Sequence, residues 1–237
     1  MDEGLLPAAV REAAADRRGG ATEVAARALD GLLEVADDRR RLAASVAALL
    51  AGQPAMAPVW HLARAARGPD PGAALARLRA SLDADADAAV DAAAGWLRQR
   101  LAGGGRGAVA TVSHSSLVDR VLARLGEGEG AAGPTRIPGA ADGAEAGAAE
   151  AGPAVVGLVG ADAIGPAALL NAAGTGELAA RLPTLVVATA IKLLPAEPFA
   201  RLAGPGFEVV PLGAVAAVVV GGEVLSPAEA GRLAAGG

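Results

Sequence analysis

The stretch that most restricts the fold is Val155–Val159, VVGLV, a short apolar run with Pro153 before it and Gly160 after it. A brief Val-rich run that stops this sharply suits a buried strand of a parallel sheet better than a helix, which needs a longer periodic pattern. It ends in Gly160-Ala161-Asp162, so a carboxylate stands just past the strand's carboxyl end. Open α/β sheets bind their ligands at that edge. Asn171 and the turn Gly174-Thr175-Gly176 follow and are expected to bring backbone N–H groups toward it.

The chain on either side divides by pattern. From residue 4 to 103 the apolar positions recur at helical spacing, as in Val24, Leu29, Leu32, Leu33, Leu42, Val46, Leu49 and Leu50. Asp37–Arg41 reads as a solvated break within that run, and Gly52 and Pro54 end it. Pro58–Arg67 reads as a shorter helix. Ser81 is expected to cap another, with Asp83, Asp85 and Asp87 near its positive end. Gly103-Gly104-Gly105 marks the boundary between a helical domain, 1–103, and a second domain, 104–237. Beyond it, short apolar runs alternate with helices. Ala108–Val112, Pro183–Ala188 and Val215–Val220 read as strands, the helix after the first carries Leu117, Val121 and Leu125, and Ser226-Pro227-Ala228-Glu229 reads as a helix start. This alternation predicts an α/β class: a helical N-terminal domain followed by a Rossmann-like, doubly wound parallel sheet. Glu127–Gly152, mostly Gly, Ala and acidic residues, shows no strand-like run and reads as a connector.

Composition narrows the function. A net charge of −5 and 2% aromatic residues argue against a nucleic-acid surface. The absence of Cys excludes disulfides and thiolate chemistry, and two His exclude a His-rich metal site. No cofactor is implied. The N-terminus lacks the pattern of a secretory signal, and no apolar run approaches the length of a membrane span, so a cytoplasmic protein without membrane contact is expected. Ala214–Val220, AVAAVVV, has no polar residue on either face and must be covered on both. Either a homodimer through the C-terminal domain covers it, or it is an interior strand between helical layers.

Several segments stand in a familiar order. DRRGGATEVAARAL (16–29), QPAMAPVWHLARAA (53–66), TVSHSSLVDRVL (111–122), GADAI…LLNAAGT (160–175), ATAIKLLP (188–195), FEVVP (207–211) and GEVLSP (222–227) succeed one another along the chain. They resemble, in register, the motifs of the superfamily that holds the regulatory subunits of eukaryotic initiation factor 2B. Two sugar-phosphate isomerases share that superfamily, methylthioribose-1-phosphate isomerase and ribose-1,5-bisphosphate isomerase. The resemblance implies the same fold, dimerisation through the C-terminal domain, and a domain shortened by about one β–α unit. Only Pro134–Pro138 matches the start of that unit, faintly.

The resemblance also implies a site. The isomerases move a proton between adjacent carbons with a Cys and the Asp of GAD as an acid–base pair. Here Ser113 stands at the Cys position and Asp162 at the Asp position. A Ser hydroxyl is a far weaker base than a thiolate, and Ser113 and Ser115 equally fit a helix start that satisfies backbone donors. Asp162 fits both a ligand contact and a helix N-cap. Gln53 replaces an Arg of the isomerases and Ala172 replaces a Lys, which removes charge-assisted bonds to an anion. The remaining candidates for a ligand are Arg18, Gly19, Gly20, Ala21, Ser115, Ser116, Asn171, Gly174, Thr175 and Lys192. Arg17 and Arg18 also read as solvated helix-end charges, and Lys192 as a surface lysine at a strand end. The resemblance thus points to a non-catalytic binding or regulatory relative that takes a sugar phosphate or nucleotide. An isomerase with altered acid–base residues and an initiation-factor-like assembly subunit are the alternatives.

Overall fold

A computed structural model describes residues 6–101, 108–112, 114–126, 136–138 and 154–236. The N-terminal part is helical: α1 (Ala8–Ala15), α2 (Ala21–Leu33), α3 (Arg39–Gly52), α4 (Ala57–Ala66) and α5 (Pro71–Leu101). The break between α2 and α3 falls where the charged run stands, because the Asp38 carboxylate caps α3 by accepting from the N–H groups of Arg40 and Arg41. Val24, Leu29, Leu32, Leu42, Leu49, Leu62 and Leu75 form the core of this part. The helices approach closely. A Cβ added to Gly31 would lie 2.8 Å from Val10 Cγ2, and one added to Gly52 would lie 2.2 Å from the Ala14 carbonyl oxygen. Such contact suits an Ala-rich chain, whose small side chains fill little space between more distant helices.

Ser81 does not begin a helix. It lies within α5, which runs unbroken for 31 residues, and its Oγ donates to the Leu78 carbonyl. The acidic run is paired instead: Asp87 with Arg120 and Asp91 with Arg124, both on the helix Ser116–Gly126, and Asp83 with Arg79 one turn earlier in α5.

The second part is built on six strands. These are β1 (Ala108–Thr111), β2 (Arg136–Pro138), β3 (Ala154–Val159), β6 (Thr184–Ala188), β8 (Ala217–Val220) and β9 (Glu223–Leu225), in the order β2-β1-β3-β6-β8-β9. All neighbours are parallel except β9, which pairs antiparallel with β8. Side chains alternate between two cores, as a pleated strand buried on both faces requires. Leu185, Val187 and Val219 face the C-terminal half of α5 (Ala89, Ala93, Leu97) and α6 (Ser116–Gly126). Val186, Val218 and Val220 face the opposite layer.

That layer was not legible as such. It contains a small antiparallel sheet, β4 (Ala163–Ile164), β5 (Ala168–Ala172) and β7 (Phe207–Pro211), beside α7 (Thr175–Arg181), α8 (Ala196–Ala200) and α9 (Pro227–Ala235). Asp162 therefore caps no helix; the chain turns from β3 directly into the β4–β5 hairpin. The region 127–152 does contain a strand, β2, which lies outside β1 at the sheet edge, so the sheet has no mid-sheet gap. The rest of that region lies outside the described residues. Ala217–Val220 is an interior strand covered on both faces by this chain's own side chains, so it supplies no reason for a dimer. The helix start at Ser226 has its capping box: the Glu229 N–H donates to Ser226 Oγ, and the Ser226 N–H donates to the Glu229 carboxylate at 2.8 Å.

Candidate functional site

At the carboxyl edge of the sheet, where it meets the helical part, lies a cavity of about 310 Å³. Strand β3 delivers Gly160-Ala161-Asp162 to its floor. Gly160 lacks a side chain because a Cβ there would lie 2.7 Å from Ser115 Oγ, so β3 exits against the residues that open α6.

The loop between α1 and α2 forms one wall and is tightly held. The Asp16 carboxylate accepts from the N–H groups of Arg18 and Gly19 at 2.8 Å each and pairs with Arg27 at 2.8 Å. These bonds, those of Gly19 and Arg18 foremost, hold its pKa down at about 2. The Gln53 amide donates to the Ala13 carbonyl at 2.8 Å and the Asp16 carbonyl at 2.6 Å, which satisfies the C-terminal end of α1. Arg18 rises from this loop into the cavity, exposed, with no hydrogen bond or ion pair to its side chain among the described residues.

Lys192 faces the same cavity and is only 2% exposed. It is therefore not a surface lysine. Its amine makes no hydrogen bond or direct ion pair among the described residues. Burial pushes the amine pKa down, and the charge of Asp162 acts against that shift. Asp162 is itself pushed up to about 6, first by burial, with Lys192 pulling the other way. Two titratable groups, each shifted by burial against its charged form, thus share one cavity.

Lys192 sits on a single 3₁₀ turn, Ala190–Lys192, held at both ends by helical side chains. The Asp85 carboxylate of α5 accepts from the Ala190 N–H, and the His61 Nε2–H of α4 donates to the Leu193 carbonyl at 2.8 Å. The next residue, Leu194, donates its N–H to the Ile164 carbonyl at 2.8 Å, two positions after Asp162.

Of the residues singled out in the sequence, Arg18, Gly19, Gly20, Ala21, Ser115, Asp162, Asn171 and Lys192 line the cavity. Ser116 starts α6 behind it, its N–H nitrogen 3.5 Å from where a Cβ on Gly20 would stand. Gly174 and Thr175 do not line it. Gly174, at φ 97°, turns the chain into α7, and the fully buried Thr175 Oγ1 accepts from Asn171 Nδ2 at 2.9 Å. They orient Asn171. Ser113 lies outside the described residues. His114 stands 3.3 Å from the Asp119 carboxylate and is engaged there. The sequence reading passed over Asp16, Met56 and Phe207 in the wall, and it missed the standing of Lys192. A simple count would have marked the last: among 21 Lys and Arg residues, Lys192 is the only lysine.

A five-helix N-terminal part set on a mostly parallel α/β sheet, with a cavity at their junction, defines a two-part α/β architecture. It is the fold of the initiation factor 2B subunits and of methylthioribose-1-phosphate isomerase. A translation initiation factor eIF-2B structure from Pyrococcus horikoshii OT3 matches at a TM-score of 0.68 and 19% identity, covering 96% of this chain and 98% of that one. The tetrameric eIF2B-beta2-delta2 complex of C. thermophilum matches at 0.63 and 14% identity, over 93% of this chain and 90% of that one. The 5-methylthioribose 1-phosphate isomerase of P. horikoshii OT3 matches at 0.57 and 14% identity, over 95% and 85%. No protein-family model and no curated protein matches the sequence. The motif resemblance and the fold agree.

Proposed function

We propose that this chain is a cytoplasmic binding or regulatory relative of the initiation factor 2B subunits that takes a sugar phosphate or a nucleotide phosphate in the junction cavity. One observation carries this reading: Lys192, a buried amine without a hydrogen-bond partner among the described residues, lines a cavity that Arg18 also lines. A sugar phosphate would give the amine a polar partner and Arg18 an anion. Ser115, the residue before α6, adds its polar groups to the lining. The volume, about 310 Å³, is at the small end for ligand sites and suits one monosaccharide phosphate better than a dinucleotide.

Isothermal titration with ribose 5-phosphate, ribose-1,5-bisphosphate and AMP tests the reading. At least one is expected to bind, with affinity falling 10- to 100-fold in Arg18→Ala, about 1.5–3 kcal/mol for a lost charged hydrogen bond. No heat with any of the three would overturn it.

One observation favours an active isomerase instead: Asp162, pushed up to about 6, is poised to give and take protons. The Ser at position 113, Gln53 and Ala172 argue against it. Interconversion of ribose-1,5-bisphosphate with its ketose, abolished in Asp162→Asn, would establish catalysis. We also propose a homodimer through the C-terminal part, supported by the assembled state of the similar eIF2B-beta2-delta2 complex. Val209, Val224 and Leu233, on β7, β9 and α9, are the large apolar side chains exposed there. No helix among the described residues is long and apolar enough to cross a membrane.

A further inference from the structure

We propose that Lys192 is a nucleophilic amine that condenses with a small phosphate-bearing aldehyde, such as the open-chain form of an aldose phosphate, to give an imine. The inference rests on the binding reading above in one respect: the phosphate is to be held by Arg18 and Ser115.

The first support is the residue type. Among 21 Lys and Arg residues this chain uses lysine once, and the position is the cavity. A guanidinium stays protonated in any protein setting, whereas an amine can lose its proton and attack carbon. Were the site to need only positive charge, the residue used everywhere else in the chain would serve. The second support is the setting. The amine is 2% exposed and, among the described residues, neither hydrogen-bonded nor directly ion-paired. Burial disfavours the ammonium. The third is rigidity. Asp85 and His61 pin the two ends of the turn that carries Lys192, so its backbone is pre-positioned. The fourth is a proton carrier: Asp162 lines the same cavity.

The reaction balances without an oxidant or reductant. The neutral amine adds its lone pair to the aldehyde carbon, and the carbonyl π pair moves to oxygen, which takes the proton of the Asp162 carboxyl. The nitrogen of the resulting carbinolamine loses a proton to the Asp162 carboxylate. That proton is returned to the hydroxyl, which leaves as water when the C–O bond breaks and the C=N bond forms, and the Asp162 carboxylate takes the remaining N–H proton. The sum is R–CHO plus Lys–NH₂ giving R–CH=N–Lys plus H₂O.

The probe is pyridoxal 5′-phosphate, an aldehyde with a phosphate and a chromophore, followed by borohydride reduction and peptide mass mapping. The whole chain offers one other amine, the N-terminus, which mapping separates. One reduced adduct per chain on Lys192 is expected, forming at least tenfold faster with pyridoxal 5′-phosphate than with pyridoxal. Lys192→Arg is expected to lose that adduct, and Asp162→Asn to form it at least tenfold more slowly. Arg18→Ala is expected to remove the advantage of the phosphate form while still labelling at Lys192. Calorimetric binding of pyridoxal 5′-phosphate with no adduct at Lys192 would overturn the imine and leave the binding reading intact. Labelling at Lys192 with no preference for the phosphate form would overturn the phosphate-bearing class. Absence of both heat and adduct would overturn the two together.

Discussion

The raised pKa of Asp162 makes a quantitative claim about stability. Its carboxyl titrates at about 6 in the folded chain against an ordinary 3.8. A folded-state pKa above the unfolded value means that the folded chain binds the proton more tightly. The associated stability is fully present below pH 3.8 and is lost as pH rises through 6. About two pH units at about 1.4 kcal/mol each amount to about 3 kcal/mol of destabilisation above pH 6. Asp162→Asn keeps the shape and removes the titration. It also removes the charge that favours the protonated Lys192, so the difference in pH dependence is the cleaner quantity. Denaturant unfolding of both proteins at pH 4 and pH 7.5 is the assay. The stability of the Asn variant relative to the parent is expected to rise by about 2–3 kcal/mol between those pH values. That corresponds to roughly 5–10 °C in melting temperature for a chain of this size. Parallel pH profiles would refute the argument, because they would mean that Asp162 is solvated or hydrogen-bonded when folded.

Gln53→Ala leaves the carbonyls of Ala13 and Asp16 without their donor, and urea unfolding is expected to register a loss of about 1–3 kcal/mol. Ser226→Ala removes an exposed N-cap, with about 1 kcal/mol expected in the same measurement. We propose the division 1–103 and 104–237 as a proteolytic boundary, with first cuts within 103–105 or 127–152. The products of a cut at 103–105 are expected to co-elute on gel filtration, because Ala89, Ala93 and Leu97 of α5 pack on the sheet; first cuts within α2 or α3 would refute the division. Sedimentation at micromolar concentration is expected to give about twice the 22.9 kDa chain mass, and a single species at the chain mass would refute the homodimer.

Most helices of the first part and the strands β1, β3, β6 and β8 were legible because burial imposes a period: Leu29, Leu32 and Leu49 repeat as a helix face, and Val218, Val219 and Val220 as a strand buried on both sides. The β4–β5 hairpin was not, because Ala163–Ile164 is too short to show alternation, and the pairing of Ala163 with Leu170 is a tertiary choice. Ser81 misled for a related reason. A capping residue followed by acids describes a helix start locally, but Asp87 pairs with Arg120 of α6 and Asp85 accepts from the Ala190 N–H beyond the sheet. At the site, Asp162 was legible from its place after a strand, and Arg18 from its glycines. The solitude of Lys192 depends on burial, which no local pattern encodes. The places of Gly174 and Thr175 were read one layer off, since a Gly-Thr turn looks the same whether it lines a cavity or orients an asparagine that does.

The turn that carries Lys192 has a divided allegiance. Its backbone continues a strand of the sheet, yet its two ends are fastened by Asp85 and His61, side chains that belong to helices of the other part. Ile191, between them, is plugged into the helical core. Asp162 is fastened to the same helices, since its carbonyl accepts from the N–H of Ala57, the first residue of α4, at 3.0 Å. A sliding of the helices over the sheet would therefore strain both fastenings at once. Each group's hold on its proton thus depends on how the two parts of the chain are seated on one another.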